Sequence, residues 1–208
     1  VTYLSNDLVT QEDQIFKNNN SNASLGNVLQ SIGFRGDLAY LVLNVPNKIE
    51  IVNRYTFKKT GSITTNLEQA RYIAFSTNNI YVTNNNFSNV KKVNIYDNAN
   101  AFVKSIDFPN YAEKITSSDG FIYVQTDGLT YDNNYNEIAT GHTISRINPS
   151  TNTVDKTITL NDTGIIRDLV SDQLYTYVLT SDAVYTYLYK INSKTGTFTQ
   201  QEVFDIPY

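Results

Sequence analysis

The sequence predicts an all-β protein, a β-propeller of four-stranded blades, and three observations carry the prediction. First, an apolar-aromatic phrase entered through a polar turn recurs as Leu38-Ala39-Tyr40-Leu41-Val42, Asn79-Ile80-Tyr81-Val82, Asp119-Gly120-Phe121-Ile122-Tyr123-Val124 and Leu174-Tyr175-Thr176-Tyr177-Val178. Second, the anchor tyrosines Tyr40, Tyr81 and Tyr123 stand 41 and 42 residues apart, with Tyr177 after a longer gap. A period near 40 in a strand-rich pattern marks a propeller or a related array. Third, the chain holds 16 Tyr and 10 Phe, flat side chains that cover a pleated surface well.

Taken in order, Val1 to Leu4 reads as a short strand and Gln14 to Phe16 as another, with the turn Asn6-Asp7 between them. The run Asn18-Asn19-Asn20-Ser21-Asn22 has no apolar residue to pack and reads as a loop. Residues 1–27 therefore resemble the outer two strands of a blade. Four full repeats follow, at about 28–66, 67–110, 111–163 and 164–208. The first has strands at Gln30–Phe34, Leu38–Leu43, Lys48–Val52 and Phe57–Ile63. The second has them at Arg71–Phe75, Ile80–Thr83, Lys91–Ile95 and Phe102–Ile106. Those of the third lie at Lys114–Ser117, Phe121–Thr126, Thr143–Ile147 and Val154–Thr159, and those of the fourth at Arg167–Val170, Tyr175–Thr180, Tyr187–Ile191 and Phe198–Val203. Third strands run into Asn148-Pro149-Ser150-Thr151-Asn152 and Asn192-Ser193-Lys194-Thr195-Gly196, residue types that hairpin turns demand. No helix is expected; Leu67-Glu68-Gln69-Ala70 could form one turn at most. Four-stranded units that cannot bury both faces alone must stack, and radial stacking gives a propeller. A β-sandwich or open β-array is the alternative.

Composition narrows the function classes. A formal net charge of −4 and a pI near 4.9 argue against a surface built for nucleic-acid phosphates. No apolar run approaches the length needed to span a bilayer. The chain has no Cys, so disulfides, thiolate metal sites and cysteine nucleophiles are excluded, and its single histidine, His142, excludes a multi-histidine metal centre. No cofactor is expected. The absence of Met fits a trimmed or cropped chain.

The run Ile144-Ser145-Arg146-Ile147-Asn148-Pro149-Ser150-Thr151-Asn152-Thr153-Val154-Asp155-Lys156-Thr157-Ile158 resembles the YncE-like propeller repeat, with its tyrosine strand, "TNTV" turn and closing Lys-x-Ile. Leu25-Gly26-Asn27-Val28-Leu29-Gln30-Ser31, Asn47-Lys48-Ile49-Glu50-Ile51-Val52-Asn53 and Ala70-Arg71-Tyr72-Ile73 are similar to exported YncE-like surface proteins of Bacteroidota. The third-repeat insertion and Tyr185-Thr186-Tyr187, which replaces a polar turn, depart from the pattern. The resemblance implies a seven-bladed ring of roughly 290 residues, hence a chain that is part of a longer propeller. A five-bladed ring closed by strand sharing is the alternative. It also implies an extracytoplasmic protein at the periplasm or outer-membrane surface of a Gram-negative bacterium.

The tyrosine register locates candidate site residues. Ten residues before each anchor stand Gln30, Arg71, Glu113 and Arg167, at the start of the presumed innermost strand and so at one mouth of the central channel. Arg71 and Arg167 could form a cationic patch, because guanidinium forks bind carboxylate or phosphate in pairs; alternatively each pairs with a carboxylate such as Glu68 or Asp168. The loops between second and third strands lie on the same face. The third, 127–142, is much the longest, and Tyr131, Asp132, Asn133, Asn134 and Tyr135 offer flat contact area and adaptable hydrogen bonding. His142 closes it. Insertions in repeat proteins concentrate on the binding face; a plain solvated loop is the alternative. The Asp/Asn cluster lacks the spacing of an EF-hand.

Three functions are compatible. The first is a non-catalytic binding module that docks on an outer-membrane transport or secretion partner. The second is surface capture of a small ligand, a corrinoid or a glycan, for uptake. The third is a lactonase- or lyase-like enzyme, which a ring of Gln, Arg, Glu and Arg disfavours because it is poor in metal ligands and bases.

Overall fold

A computed structural model describes residues 1–206, of which 55% of the chain is strand and 2% helix. Four four-stranded antiparallel sheets follow one another, and each is one blade. The first is Val28–Arg35 (β3), Leu38–Val45 (β4), Asn47–Asn53 (β5) and Lys59–Ile63 (β6); the second Ala70–Phe75 (β7), Asn79–Asn85 (β8), Lys91–Asp97 (β9) and Phe102–Asp107 (β10). The third is Ile115–Ser118 (β11), Phe121–Gln125 (β12), Thr143–Asn148 (β15) and Thr153–Thr159 (β16), interrupted by the insertion. The fourth is Ile165–Ser171 (β17), Tyr175–Ser181 (β18), Thr186–Asn192 (β19) and Thr197–Phe204 (β20). In every blade the spatial order is the sequence order. All sixteen expected blade strands are present, with ends shifted by a few residues.

Local chemistry sets each hairpin. Between β11 and β12, Asp119 and Gly120 both take positive φ (47° and 79°), which gives a two-residue loop whose twist matches the flanking strands. Each third strand ends in Asn or Asp (Asn53, Asp97, Asn148, Asn192), whose Oδ1 accepts backbone N–H groups of the following turn at 2.8–3.0 Å. The same turns contain a left-handed residue (Phe57, Asn100, Asn152 or Gly196) and are flanked by a register shift in the outer pair.

The inner strands β3, β7, β11 and β17 pack in succession, which makes them the channel wall. Gly33 is required there: a Cβ at that position would lie 2.5 Å from the Ile73 side chain, so glycine alone permits the approach of β3 to β7. The core is a series of inter-blade seams. Tyr40, Val42 and Ile51 of the first blade meet Ile73, Ile80 and Val82 of the second. Tyr81 and Val93 of the second meet Ile122 and Val124 of the third, and Tyr123 and Ile144 of the third meet Leu169 and Val178 of the fourth. The anchor tyrosines Tyr40, Tyr81 and Tyr123 are buried in these seams, while Tyr177 is half-buried, and two of the buried three reach across. Tyr81 Oη donates to Asn152 Oδ1 at 2.6 Å and Tyr123 Oη to the Ser193 carbonyl at 2.6 Å.

The N-terminal segment differs from expectation. Tyr3–Leu4 (β1) pairs with Gln11–Glu12 (β2), but Gln14–Phe16 is not a strand: Ile15–Asn19 form a single helical turn (α1). Ile15 and Phe16 are both buried, and neighbouring side chains on a strand would point to opposite faces. Asn19 and Asn20 donate to the Ile15 and Phe16 carbonyls at 2.9 and 2.6 Å and close the turn. Phe16 and Leu25 then cover Ala39, Leu41 and Leu43, the face of the first blade turned away from the second.

Candidate ligand-binding site

The inner-strand register brings the expected ring together. Arg71 enters on β7 and donates from Nε and Nη2 to Glu113 Oε1 at 2.8 and 2.6 Å, and from Nη1 to Gln30 Oε1 at 3.0 Å. Asn85 Nδ2 satisfies the other oxygen of Glu113 at 3.0 Å, and Asn44 Nδ2 reaches Gln30 at 3.3 Å. One carboxylate and one guanidinium thus share a half-buried polar chain across three blades. Arg167 donates to Glu137 Oε2 of the insertion at 2.6 Å and to Ser181 Oγ at 2.9 Å. The carboxylate partners differ from those the sequence suggested. Glu68 pairs with Lys92 at 3.0 Å and Asp168 with Lys114 at 3.4 Å. The carboxylates the arginines bond lie instead one blade away, for Arg71, and on the insertion, for Arg167.

The insertion is not an unstructured loop. Leu129–Tyr131 (β13) and Glu137–Ala139 (β14) form a hairpin. Its base is fixed by Asp127, a buried carboxylate. Asp127 Oδ1 accepts from Asn110 Nδ2 at 2.8 Å, and Oδ2 accepts the Thr143 N–H and hydroxyl at 2.8 and 2.6 Å. Gly128 lies flat on the Tyr111 ring, where a Cβ would come within 2.4 Å of the ring carbons. At the tip Asp132 Oδ1 accepts the N–H groups of Asn134 and Asn136. These bonds, with the Asn136 amide foremost, hold its carboxyl below the ordinary value.

Between the ring and the hairpin lies a cavity of about 730 Å³. Of the expected residues it is lined by Arg71, Glu113, Arg167 and Tyr131. Gln30 stands behind Arg71, while Asp132, Asn133, Asn134 and Tyr135 form the hairpin tip, with Tyr135 87% exposed. His142 faces the junction of the third and fourth blades, its Nδ1 3.2 Å from the Gly164 carbonyl oxygen, and does not line the cavity.

Several lining residues had no mark in the tyrosine register. Phe87 sits on the rim with φ 60° and is 57% exposed. Its N–H donates to Asn85 Oδ1 at 2.8 Å, its ring lies 5.8 Å from that of Tyr111, and the Arg71 guanidinium stands over it at 5.1 Å. A bulky side chain in the left-handed region is a strained arrangement, and such strain clusters at binding sites. Burial, reinforced by Glu113, pushes the Tyr111 hydroxyl up to about 12. Lys114 projects over the Tyr72 ring at 4.5 Å; burial opposes its charge, but Tyr72 and Asp168 outweigh that and hold it above the ordinary lysine value. Lys91 donates to the Pro109 carbonyl at 3.2 Å and has no carboxylate within 4 Å among the described residues. The cavity wall therefore holds four cations (Arg71, Lys91, Lys114, Arg167) and two carboxylates (Glu113, Glu137) in a chain of net charge −4.

A second cavity of about 730 Å³ opens at the other mouth, among the turns between first and second strands. Its charged lining residues are Asp119 and Asp172, and Asp172 Oδ1 is engaged by the Leu174 and Tyr175 N–H groups. It offers turn backbone rather than convergent side chains. Among the described residues no group of three His, Asp or Glu side chains could hold a metal ion. No helix there is long and apolar enough to cross a membrane.

No protein-family model and no curated protein matches the chain. Solved structures do. Hydrazine synthase from Kuenenia stuttgartiensis superposes with a TM-score of 0.67 at 16% identity, over 88% of this chain and 52% of that one. The Pan2 WD40 domain of Neurospora crassa gives 0.60 at 15% identity, over 85% and 52%. The Dos1 propeller gives 0.61 at 10% identity, over 86% and 48%. The chain spans about half the length of these proteins. Identities this low establish the fold alone: the protein has a β-propeller fold, which enzymes and non-enzymes share.

Proposed function

We propose that the chain is a non-catalytic binding propeller whose ligand seat is the cavity between the inner-strand ring and the insertion hairpin. The observation that carries the reading is the gathering of Arg71, Lys91, Lys114 and Arg167 beside the exposed rings of Phe87 and Tyr131, in an otherwise acidic chain. A concave, pre-formed site with aromatic rings and convergent polar groups is the default seat for a small ligand. A catalytic role has less support. Both oxygens of Glu113 already accept hydrogen bonds and Glu137 accepts from Arg167, so neither carboxylate is poised as a general base. The test is a two-dimensional NMR titration of the isotope-labelled chain with a panel of sugars, nucleotides, amino acids and corrinoids. Shifts confined to cavity residues, with the ligand recovered chemically unchanged, are expected; shifts elsewhere, or turnover of the ligand, defeat the reading.

A second reading keeps the resemblance to exported YncE-like proteins: a module at the outer membrane that docks on a transport or secretion partner. The protruding hairpin tip, with Tyr135 almost fully exposed, is what favours it. Aromatic side chains of this kind anchor protein interfaces. Cross-linking from a photoreactive residue placed at Tyr135, in the cells that make the protein, should capture an outer-membrane protein; capture of none removes this reading.

A further inference from the structure

The chemistry of the cavity wall names a class of ligand, on the footing that the cavity is the ligand seat. We infer that it takes an acidic saccharide, a short oligosaccharide carrying a carboxylate.

Three features converge. The first is charge: of the four cations on the wall, Arg71 pairs with Glu113, Arg167 with Glu137 and Lys114 with Asp168 at 3.4 Å, so the cationic excess centres on Lys91. Among the described residues the Lys91 ammonium bonds a carbonyl oxygen and no carboxylate, which keeps its charge available for an anion at the rim. The second is the aromatic rim. Phe87 is fixed by its bond to Asn85, by the Tyr111 ring and by the Arg71 guanidinium, yet more than half its surface is open. Tyr131 is equally open on the hairpin side. An aromatic face carries negative potential and attracts the slightly positive C–H groups on one face of a pyranose. The third is the wall between. Of the described residues lining the cavity, only Phe87, Leu129 and Ile166 have wholly apolar side chains. Asn110, Gln125, Thr130 and Thr140 carry amides and hydroxyls; Asn110 Nδ2 is held by Asp127, Gln125 Nε2 by the Ile166 carbonyl and the Thr140 hydroxyl by the Gly128 N–H, which fixes the wall in place. A hydroxyl-rich ligand can pair with such a wall. An apolar acid would cover the polar atoms still open to solvent on that wall and return nothing.

The sugar face would rest on Phe87 or Tyr131, its carboxylate would meet Lys91 and the Arg167 side of the wall, and its hydroxyls would meet the amides and threonines. Calorimetry with the chain as described would use digalacturonate, its dimethyl ester, adenosine monophosphate and benzoate, and the same titrations would be followed by NMR. Digalacturonate should bind, and its ester at least about tenfold more weakly, the equivalent of about 1.4 kcal/mol. Lys91→Gln, a surface change checked for folding by circular dichroism, should weaken the acid by a similar factor and leave the ester unaffected. Phe87→Ala should weaken both. Equal affinity for acid and ester overturns the acidic class, and tighter binding of adenosine monophosphate or benzoate overturns the saccharide class; either result leaves the cavity as the ligand seat. If no member of the wider panel moves a cavity resonance, the seat itself is disproved and this inference falls with it.

Discussion

Tyr123 and Tyr177 occupy the same register in adjacent blades, but their surroundings differ. Tyr123 is fully buried in a seam and its hydroxyl donates to the Ser193 carbonyl, which Arg146 Nη1 also reaches at 3.3 Å; Tyr177 is half-buried and bonds Asp172 on its own blade at 3.1 Å. Tyr123→Phe leaves the Ser193 carbonyl with only the longer 3.3 Å bond from Arg146 Nη1 and should lower stability by about 1 kcal/mol. Tyr177→Phe removes a bond that water can replace and should change it by less than about 0.5 kcal/mol. Urea unfolding of the two variants makes the comparison; equal effects would show that the hydroxyl contact across the seam carries no weight. Residue-scale legibility was uneven for a physical reason. The ring residues Gln30, Arg71, Glu113 and Arg167 were legible because the inner-strand register repeats. The partners of the arginines were not, because proximity in sequence was a poor guide where neighbours come from the next blade. A signal did exist: Arg71 and Glu113 are opposite charges at one repeat position in consecutive repeats. Phe87 and Lys91, in a loop and at a strand start, had no such mark.

The insertion hairpin is the element on which the candidate site depends, and its attachment is local. Asp127 holds Asn110 and both donors of Thr143, so Asp127→Ala removes three bonds from partly buried donors and should cost about 1–2 kcal/mol. Amide exchange at 128–141 should rise well above that of β12 and β15. Uniform protection across the third blade in that variant would show that the hairpin is held by other contacts. Gly128→Ala drives a methyl group into the Tyr111 ring and should destabilise by about 1–3 kcal/mol, measured by the thermal midpoint. At this scale the blade strands were legible because alternation and turn residues agree at every position. The hairpin was read as a loop because Leu129-Thr130-Tyr131 and Glu137-Ile138-Ala139 are too short to show alternation. The helical turn at Ile15–Asn19 was missed for a related reason: five residues carry no period, and only burial against Leu41 and Leu43 distinguishes it from a strand.

Tyrosine burial gives the whole molecule a pH response. Burial raises the hydroxyls of Tyr40, Tyr81, Tyr96, Tyr111, Tyr123 and Tyr189 above their ordinary value of 10.0, to about 12 for Tyr96 and Tyr111. An unfolded chain ionises these groups first, so their contribution is fully present below pH 10 and is lost as pH rises towards 12. Stability should be flat with respect to these groups between neutrality and pH 9 and then fall steeply, as tyrosinate absorbance appears together with unfolding; gradual ionisation of all sixteen tyrosines near pH 10 with the fold intact would contradict this. The inner-strand bonds carry a further consequence. Ser31 to Arg71, Arg71 to Gln30, Arg71 to Glu113 and Gln125 to Ile166 span 40 to 42 residues each. The loop that must close to form one such contact is therefore the same length wherever it lies in the array, and its closure entropy does not grow with the number of units. Folding can start at any one of these contacts and spread outward unit by unit, at a rate set by the repeat length and not by the length of the chain.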